Sequence, residues 1–437
     1  MNYNEHLRNL TTQKLNQSKE CLSMSFGSLG LCDELLKTVS EQGYTTPSSI
    51  QVEAIPAVLS QRDVMAMAHT GTGKTAGFTL PMVQLLSGGS SPQAQCVRAL
   101  VITPTRELAA QVAASVQNYS RHMNIRSAAV FGGVRIEPQI AQLLSGLDVL
   151  VATPGRLIDL YNQQAISFAQ LEIVVLDEAD RMLDLGFIDD ILSIQMLLPI
   201  KRQTLMFSAT FSKAIKSLAK GMLNNPVLIE VAAPNSTVDT VKQKIHPVDK
   251  MRKSELLIHL IKRNKWHQVL VFSRTKQGAD NLVSQLENAG ISAESIHASR
   301  TQHARTHALE GFRNGNVIVL VATDIAARGI DVNQLPCVVN FDLPYVPEDY
   351  VHRIGRTGRA GTFGLAISLF SEDESKQLQS IERFVGRKFE RDIIPGFAPT
   401  KKAPAHSSDD DEYGNFEADP KPRRRGQPKG RGSYRGH

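Results

Sequence analysis

A short glycine-containing segment near residue 70 has the residue types of a phosphate-binding loop. Residues 68–75 read Ala-His-Thr-Gly-Thr-Gly-Lys-Thr between a predicted strand and a predicted helix, which is the context that such a loop requires. Glycines let backbone N–H groups turn toward phosphate oxygens, and the helix N-terminus adds the positive end of a dipole. Lys74 then supplies charge to the phosphates, and Thr75 supplies an oxygen for Mg²⁺. Because Ala68 stands where the generic pattern has glycine, a glycine-rich turn before an ordinary helix stays an alternative.

Two consecutive carboxylates end an apolar run and supply the other half of that chemistry. Asp177 and Glu178 follow residues 173–176, and their backbone directions differ, so the two side chains can take different roles. Asp177 can hold Mg²⁺ through water, and Glu178 can orient and deprotonate an attacking water molecule. The alternative is an acidic cap on the following helix, which favours negative charge at its start. That alternative stays open for Asp180.

A basic segment in the second half of the chain offers the cations that phosphate hydrolysis needs. Within residues 352–359, Arg356 and Arg359 stand beside glycines at i, i+3 spacing, so both guanidinium groups can reach a neighbouring phosphate. A solvated basic helix end is the alternative, although two glycines in eight residues disfavour a plain surface helix. If both arginines contact phosphate, the active site lies between two domains, and ATP draws these domains together.

Short apolar runs that alternate with helical segments must position these groups. The runs have strand length, are rich in Val, Ile and Leu, and mostly lack a polar face, which indicates strands covered on both sides. The alternation with helices, such as those predicted at 75–86 and 276–288, predicts an α/β fold with parallel sheets. The predicted strands are 63–68, 99–103, 128–131, 149–152, 173–176, 204–207, 227–231, 269–272, 292–296, 317–322, 338–341 and 365–369.

Changes in composition predict how the chain divides. The segment between Val231 and Val241 has proline and small polar residues without apolar periodicity, which is typical of a linker. After Pro399 aliphatic residues become rare, so the segment cannot bury enough apolar area to offset its ordering entropy, and we expect it to be disordered. The predicted division is an extension at 1–23, domains at 24–232 and 241–398, a linker at 233–240 and a tail at 399–437.

The chain has a net charge of +6, and the last part of that tail is its most strongly basic segment. Residues 421–437 hold seven Lys and Arg and no acid, whereas residues 401–420 hold two Lys and six acids, so the folded part is nearly neutral. Arginine–glycine pairs with Tyr434 among them are typical of segments that contact RNA phosphates and bases. A solubilising tail is the alternative.

Cysteine spacing and hydropathy exclude several classes of protein. Cys21, Cys32, Cys96 and Cys337 lie far apart, which argues against a zinc finger or a disulfide framework and favours a reducing compartment. No apolar run approaches the ~20 residues of a membrane span, and residues 1–23 lack an apolar signal core. We therefore expect a cytoplasmic protein. Because Met24 begins a segment that looks like a natural start, residues 1–23 are expected to be dispensable.

Nine motifs in a fixed order identify the chain as similar to the DEAD-box RNA helicases. The resemblance covers roughly residues 24–395, and the motifs lie at 43–51, 68–75, 104–108, 132–133, 153–156, 177–180, 208–210, 323–331 and 352–359. The segments 24–31, 70–81 and 394–397 resemble the bacterial RhlE subgroup. The chain departs from the family pattern at His69, where Gln is common, and at Ala298, where Gly is common.

The resemblance implies two RecA-like domains in tandem and a role for each motif residue. Gln51 resembles the family's adenine reader, because its amide offers one donor and one acceptor to the base, and Tyr44 would stack on that base. The implied catalytic residues are Lys74, Asp177, Glu178, Arg356 and Arg359, with Thr75 and Asp177 at Mg²⁺. The implied ATP contacts are Tyr44, Gln51, Ala68, His69, Thr70, Gly71, Thr72, Gly73, Lys74, Thr75 and Asp331. The implied coupling residues are Asp180, Ser208, Thr210 and His352, and the implied RNA contacts are Pro104, Thr105, Arg106, Gly133, Thr153, Gly155, Arg156 and Thr323.

The function implied by the resemblance is ATP-dependent unwinding of short RNA duplexes with little sequence specificity, plausibly in ribosome assembly or RNA turnover. Its cofactors would be ATP and Mg²⁺. Two other readings stay open: a DNA-directed helicase, which ATPase stimulation by matched RNA and DNA strands would separate, and an ATP-gated RNA clamp. A Glu178→Gln variant would still support assembly in a clamp and would lose function in a helicase.

Overall fold

Two parallel β-sheets, each packed with helices, make up the described part of the chain. The computed structural model describes residues 24–68, 71–231, 241–327, 335–358 and 364–400. We call the residues of the first sheet and its helices, 24–231, the first lobe, and 241–400 the second lobe. This architecture confirms the predicted tandem of parallel-sheet α/β domains. The predicted linker at 233–240 and the predicted tail from 401 onward lie outside the described residues.

Thirteen strands are present within the described ranges. In the first lobe they are β1 (Val64–Met67), β2 (Val97–Ile102), β3 (Ser127–Val130), β4 (Leu147–Ala152), β5 (Ile173–Leu176), β6 (Gln203–Ser208) and β7 (Val227–Glu230). In the second lobe they are β8 (Val241–Pro247), β9 (Val269–Phe272), β10 (Ala293–Ile296), β11 (Val319–Ala322), β12 (Cys337–Asn340) and β13 (Gly364–Phe370).

Helices follow most of these strands, as expected for parallel sheets with crossover connections. The first lobe contains α1 (Asp33–Glu41), α2 (Ser49–Leu59), α3 (Lys74–Ser87), α4 (Arg106–Tyr119), α5 (Glu137–Leu143), α6 (Pro154–Asn162), α7 (Ala179–Asp184), α8 (Ile188–Leu197) and α9 (Lys213–Met222). The second lobe contains α10 (Lys253–Asn264), α11 (Lys276–Asn288), α12 (Gln302–Arg313), α13 (Asp324–Ala327), α14 (Pro347–Ile354) and α15 (Ser375–Val385). Short 3₁₀ turns lie at Phe26–Leu29, Lys250–Arg252 and Glu372–Glu374. None of the described helices is both long enough and apolar enough to cross a membrane.

The two sheets have matching strand orders. The first runs β3-β4-β2-β5-β6-β1-β7 and the second runs β10-β11-β9-β12-β13-β8, with all neighbouring strands parallel. Central strands are buried along their whole length, as the six residues of β2, of β4 and of β6 show. Apolar clusters cover both faces, and the tilted Phe78–Phe207 pair, with ring centroids 5.2 Å apart, lies in one of them. The carboxyl ends of all strands in a sheet therefore meet at one edge, where ligand loops are expected.

Strand β8 was not predicted from the sequence. Lys242, Gln243 and Lys244 interrupt its apolar residues, and their side chains are exposed or half-buried. The strand lies at the edge of the second sheet and pairs with β13. An edge strand needs no apolar cover on both faces, so the pattern used to predict the other strands does not detect it. The twelve predicted strands are all present, with shifts of one or two residues at their ends.

The chain continues in contact with the second lobe as far as Thr400. Arg391 forms a bridge with Ile245 of β8, and Thr400 donates its backbone N–H and its hydroxyl to the Asp249 carboxylate. The apolar side chains of this segment are buried; they are Phe389, Ile394 and Phe397. The three described cysteines, Cys32, Cys96 and Cys337, are free thiols.

These contacts predict where the second domain ends. Removing residues 401–437 should leave the melting temperature unchanged. Removing residues 387–437 should lower it by roughly 10 °C or more, because three buried side chains at ~2 kcal/mol each are lost. Differential scanning calorimetry of both truncated proteins tests the prediction, and equal melting temperatures for the two would contradict it.

Candidate active site and nucleic-acid interface

The loop between β1 and α3 has the backbone conformation that a phosphate-binding loop needs. Gly71 and Gly73 have φ angles of 79° and 90°, a region in which side chains with a Cβ atom are strained. Lys74 is the first residue of α3, and Thr75 is half-buried beside it. The N–H of Ala68 donates to Ser208 O, which joins the start of the loop to the end of β6. His69 and Thr70 lie outside the described residues.

Lys74 and Asp177 are buried groups of opposite charge, and each has a polar atom without a hydrogen-bond partner in the described part of the chain. Their residues are 7% and 3% exposed, and neither Lys74 Nζ nor Asp177 Oδ1 has a hydrogen-bond partner within the described ranges. Burial raises the pKa of Asp177 to about 7, although the Lys74 charge opposes that rise. Burying a charge without a partner lowers the stability of the folded protein. A ligand that carries both a positive and a negative charge would supply the missing partners of both groups.

A magnesium–phosphate group has that combination of charges. The uncompensated Asp177 oxygen fits a hard cation, which prefers oxygen ligands, and the Lys74 ammonium group fits phosphate oxygens. Among the described residues no cluster of three or more His, Cys, Asp or Glu forms a protein cage for a metal. Mg²⁺ typically keeps several waters and uses one or two carboxylates plus substrate phosphates. The residues present therefore fit the ion in its nucleotide-bound form.

Glu178 holds an unusual backbone conformation at the end of β5. Its φ and ψ angles are 53° and 52°, in the left-handed region, and it precedes the first residue of α7. For a residue with a Cβ atom this conformation costs roughly 1–2 kcal/mol. Strain of this kind persists where the surrounding structure imposes it and is common at functional sites. Asp177 is buried and Glu178 is half-buried, so the two carboxylates lie in different surroundings.

Asp180 connects the carboxylate segment to the end of β6. Its Oδ2 accepts the N–H of Ala209 at 3.0 Å, and its Oδ1 accepts the N–H of Arg181 at 3.0 Å. The Ser208 hydroxyl instead donates to Thr210 O at 2.9 Å and accepts the Thr210 N–H at 3.3 Å. The Ala209 backbone N–H therefore joins the two segments, and the Ser208 hydroxyl forms a strand-end turn with Thr210. The coupling role that the resemblance implies for Ser208 and Thr210 stays a prediction.

Gln51 ties the segment before α2 to the phosphate loop. Its Oε1 accepts the Ser48 N–H at 2.9 Å in a capping box, and its Nε2 donates to Gly73 O at 3.2 Å. An amide side chain has two lone pairs and two N–H groups, so half of its capacity is left for a base. Tyr44 is 47% exposed, and its hydroxyl faces that of Tyr119, whose pKa is raised above its ordinary value by burial and by Tyr44.

The second lobe places a buried arginine network at the end of α14. Arg353 donates to both Asp324 oxygens at 2.6 and 2.7 Å, and it also bonds Asn340 Oδ1 and Asp342 O. Arg356 is buried, and His352 is half-buried. Asp331 and Arg359 lie outside the described residues. Arg353, which the sequence analysis did not select, thus holds the helix that directly precedes Arg356.

A cavity of about 510 Å³ collects most of the residues expected to contact RNA. It is lined by residues at the carboxyl ends of β2, β3 and β4 and by two from the second lobe. The expected residues in its wall are Pro104, Thr105, Arg106, Thr153, Gly155 and Arg156. Ala298 and Arg305 line it from the second lobe. Thr105 also caps α4 by accepting the Leu108 N–H at 3.3 Å.

The last two expected RNA contacts lie at different distances from this cavity. Gly133 is adjacent to the cavity, because it packs against the guanidinium group of Arg106, and a Cβ atom at this position would overlap that group. Its φ angle of 79° also favours glycine. Thr323 is not in the cavity wall; it is nearly buried after β11, and its carbonyl accepts the N–H groups of Ala326 and Ala327. The structure thus brings seven of the eight residues together.

Three residues that the sequence analysis missed join the lobes beside this cavity. Glu107 Oε2 lies 2.8 Å from Arg305 Nη2, and both side chains are largely buried. Gln302 Nε2 donates to Glu107 Oε1 at 3.0 Å, and Gln302 Oε1 lies 3.4 Å from Arg106 Nη1. Glu107 stands inside a predicted motif, but its partners are almost 200 residues away in the sequence, so no local signal identifies the contact.

Arg181 is a further buried cation near the carboxylates. Its Nε and Nη2 atoms have no hydrogen-bond partner in the described part of the chain. Burial lowers the pKa of Arg181, and the charges of Glu178, Asp184 and Asp324 oppose that effect. Because Asp324 belongs to the second lobe, its charge and that of Arg181 interact across the two lobes.

Comparisons with known proteins agree with this arrangement. Residues 48–218 match the DEAD/DEAH box helicase family, and residues 252–361 match the helicase conserved C-terminal domain. The DEAD-box ATP-dependent RNA helicase CshA of Geobacillus kaustophilus is 41% identical over 84% of this chain and 78% of its own. RhpA of Helicobacter pylori is 40% identical over 85% and 74%. Dbp5 of S. cerevisiae bound to RNA and ADP BeF3 superposes with a TM-score of 0.75 at 32% identity, covering 86% of this chain and 96% of that one.

The chain therefore belongs to the family of DEAD-box ATP-dependent RNA helicases, which are ATP-hydrolysing enzymes. The expected family is confirmed. The narrower assignment to the RhlE subgroup stays a prediction, because the relatives named above are CshA and RhpA.

Proposed function

We propose that this protein hydrolyses ATP when RNA is bound and uses the cycle to separate or remodel short RNA duplexes. The observation that carries the proposal is the buried, incomplete pair Lys74–Asp177, held beside Glu178 in the lobe that also provides most of the RNA cavity. ATP completes that pair, and RNA fills the cavity between the lobes. The activity stated in the names of CshA and RhpA supports the same assignment.

ATP binding is assigned to the loop between β1 and α3 and to the segment before α2. Backbone N–H groups around Gly71 and Gly73 surround the phosphates, and Lys74 neutralises their charge. The second lone pair of Gln51 Oε1 and the second N–H of Nε2 are assigned to adenine. The first of each is used by the Ser48 N–H and by Gly73 O, which fixes the side chain next to the phosphate loop. Thr75 and Asp177 hold Mg²⁺, partly through water, and the ion polarises the phosphate oxygens when bound.

Hydrolysis is assigned to Glu178 and to arginines of the second lobe. Glu178 lies half-buried in the strained turn next to Asp177, and its carboxylate is assigned to orient and deprotonate the attacking water. Arg356 and Arg359 offset the charge that develops on the terminal phosphate. Since Arg353 anchors α14 through Asp324, movement of the second lobe carries Arg356 with it. Turnover consequently depends on how the lobes are positioned.

RNA binding is assigned to the cavity at the ends of β2, β3 and β4. Arg106 and Arg156 supply charge to the backbone, and the glycines allow phosphates to approach N–H groups closely. Such contacts fix the position of a strand without reading its sequence. The Glu107–Arg305 pair in the wall of this cavity holds the lobes together, so RNA that favours this arrangement also favours the arrangement that hydrolyses ATP.

The biological role and the partners are proposed only at the level of the family. Ribosome assembly and RNA turnover both require short RNA duplexes to be opened without sequence preference. The arginine–glycine tail would add affinity for RNA through further phosphate contacts.

Matched RNA and DNA single strands test the proposed function. ATP turnover by the full chain should rise at least tenfold with a short RNA strand, and a DNA strand of the same sequence should have little effect, because 2′-hydroxyl groups contribute to family contacts. Phosphate release measured at increasing concentrations of the RNA or the DNA strand gives the stimulation of ATP turnover by each. Equal turnover with RNA, with DNA and with no strand would contradict the proposal.

Glu107→Gln tests the connection between the RNA cavity and turnover. The substitution leaves Arg305 buried without its partner, which typically costs about 2–5 kcal/mol. The RNA concentration for half-maximal ATPase activity should therefore rise roughly tenfold or more.

The combined swap Glu107→Arg with Arg305→Glu should recover part of that loss. As a control, Glu172→Gln removes a carboxylate that pairs with Arg98 inside the first lobe, with 2.6 Å between charged atoms, and should leave the RNA dependence as in the wild type. An unchanged RNA dependence in Glu107→Gln would show that the contact does not couple the lobes.

A further inference from the structure

The matching strand orders relate each element of the second lobe to one in the first. Strands β8, β9, β10, β11, β12 and β13 occupy the positions of β1, β2, β3, β4, β5 and β6. In the first lobe, the ends of β1, β5 and β6 surround the phosphate site. The equivalent place in the second lobe is therefore surrounded by the ends of β8, β12 and β13.

A buried lysine and an aspartate occupy that equivalent place. Lys253 is the first residue of α10, the helix after β8, just as Lys74 is the first residue of α3, the helix after β1. Lys253 is 2% exposed, and its Nζ lies 3.9 Å from Oδ1 of Asp342, which follows β12. Asp177 follows β5 directly, whereas Asp342 is the second residue after β12. Unlike Lys74, however, Lys253 has a carboxylate partner.

The carboxylate of Glu374 receives five converging donors. Its Oε1 accepts from Arg274 Nη2 at 2.7 Å and from the Leu343 N–H at 3.0 Å. Its Oε2 accepts from Lys253 Nζ at 2.6 Å and from the N–H and hydroxyl of Ser371, both at 3.3 Å. Glu374 is 2% exposed. Two cations, two backbone N–H groups and a hydroxyl are the kind of donor set that proteins arrange around a bound anion.

We propose that the second lobe contains a counterpart of the phosphate site whose anion is the carboxylate of its own Glu374. The loop before Lys253 supports this assignment, because residues 248–252 contain no glycine and form a 3₁₀ turn at Lys250–Arg252. Without glycine the backbone N–H groups do not wrap a phosphate in the way of a phosphate-binding loop. A carboxylate from the turn between β13 and α15 neutralises Lys253 and Arg274 instead.

The internal anion also fixes the connection that leads to α14. Lys253 Nζ donates to Phe341 O at 2.8 Å, Glu374 accepts the Leu343 N–H, and Arg353 Nη1 donates to Asp342 O at 2.6 Å. The turn at Phe341–Leu343 is thus held from both sides. The buried lysine of the second lobe is neutralised by a carboxylate of the same lobe. Lys74 in the first lobe has no such partner among the described residues, and we expect a nucleotide to supply it. The comparison with the first lobe rests on the proposed nucleotide site there, whereas the ion pairs of Glu374 are observed directly and affect stability without ATP or RNA.

Restoration of stability by small anions tests the proposal. Glu374→Ala should lower the melting temperature of the full chain by roughly 5–15 °C, because it leaves a buried cation without its partner. Acetate or inorganic phosphate should then raise the melting temperature by several degrees more than in the wild type at equal ionic strength. Glu372→Ala is the matched control, since it removes an exposed carboxylate from the same 3₁₀ turn, and it should show no extra response.

The lysine must be required for that response. In the combined Lys253→Met and Glu374→Ala variant, the added anion should raise the melting temperature by no more than it does in the wild type. An equal anion response in the single and combined variants, or none in Glu374→Ala, overturns the proposal.

A charge-removal series covers the case in which Glu374→Ala does not fold. Lys253→Met and Glu374→Gln should each destabilise the protein, and the combined variant should lose clearly less stability than the sum of the two single losses, because both substitutions break the same Lys253–Glu374 ion pair. Losses that simply add in the combined variant would overturn the proposal.

Discussion

The buried pair of Lys74 and Asp177 is the constraint on which the rest of the first lobe depends. Two opposite charges lie near each other at the carboxyl edge of the sheet, with an ammonium group and a carboxylate oxygen that lack hydrogen-bond partners among the described residues. Such an arrangement is costly unless a ligand completes it. The glycines of the loop, the start of α3 and the strained turn at Glu178 all serve to hold these groups in place.

Each of the two proposed sites is held by its own short bonds. Asp180 joins the carboxylate segment to Ala209 at the end of β6, and the loop start is joined to Ser208 of the same strand. After the end of β2, Glu107 bonds Arg305 and Gln302 of the second lobe. Loss of a partner at any of these points leaves a buried polar group unsatisfied, so each site resists displacement of the elements that form it.

Local sequence patterns predicted most of the strands and the phosphate-binding loop. Features that depend on contacts between residues far apart in the sequence were not predicted. Strands buried on both faces and the glycine-containing loop were predictable, because the residue types that form them are adjacent in sequence. Strand β8 was missed because edge strands tolerate lysines. The Glu107–Arg305 contact was missed because it joins residues far apart along the chain. The bond that joins Asp180 to the end of β6 was not predictable, because a backbone N–H, which every non-proline residue carries, makes it.

The Mg²⁺ dependence of ATP affinity tests the central claim most directly. Isothermal titration of ATP into the full chain over a range of Mg²⁺ concentrations should show affinity that rises with Mg²⁺ in the wild type. In Asp177→Asn, whose uncharged amide is a poor ligand for a hard cation, that dependence should largely disappear. If the variant keeps the wild-type dependence on Mg²⁺, the buried carboxylate does not bind the nucleotide-bound ion, and the proposed role of Asp177 is wrong.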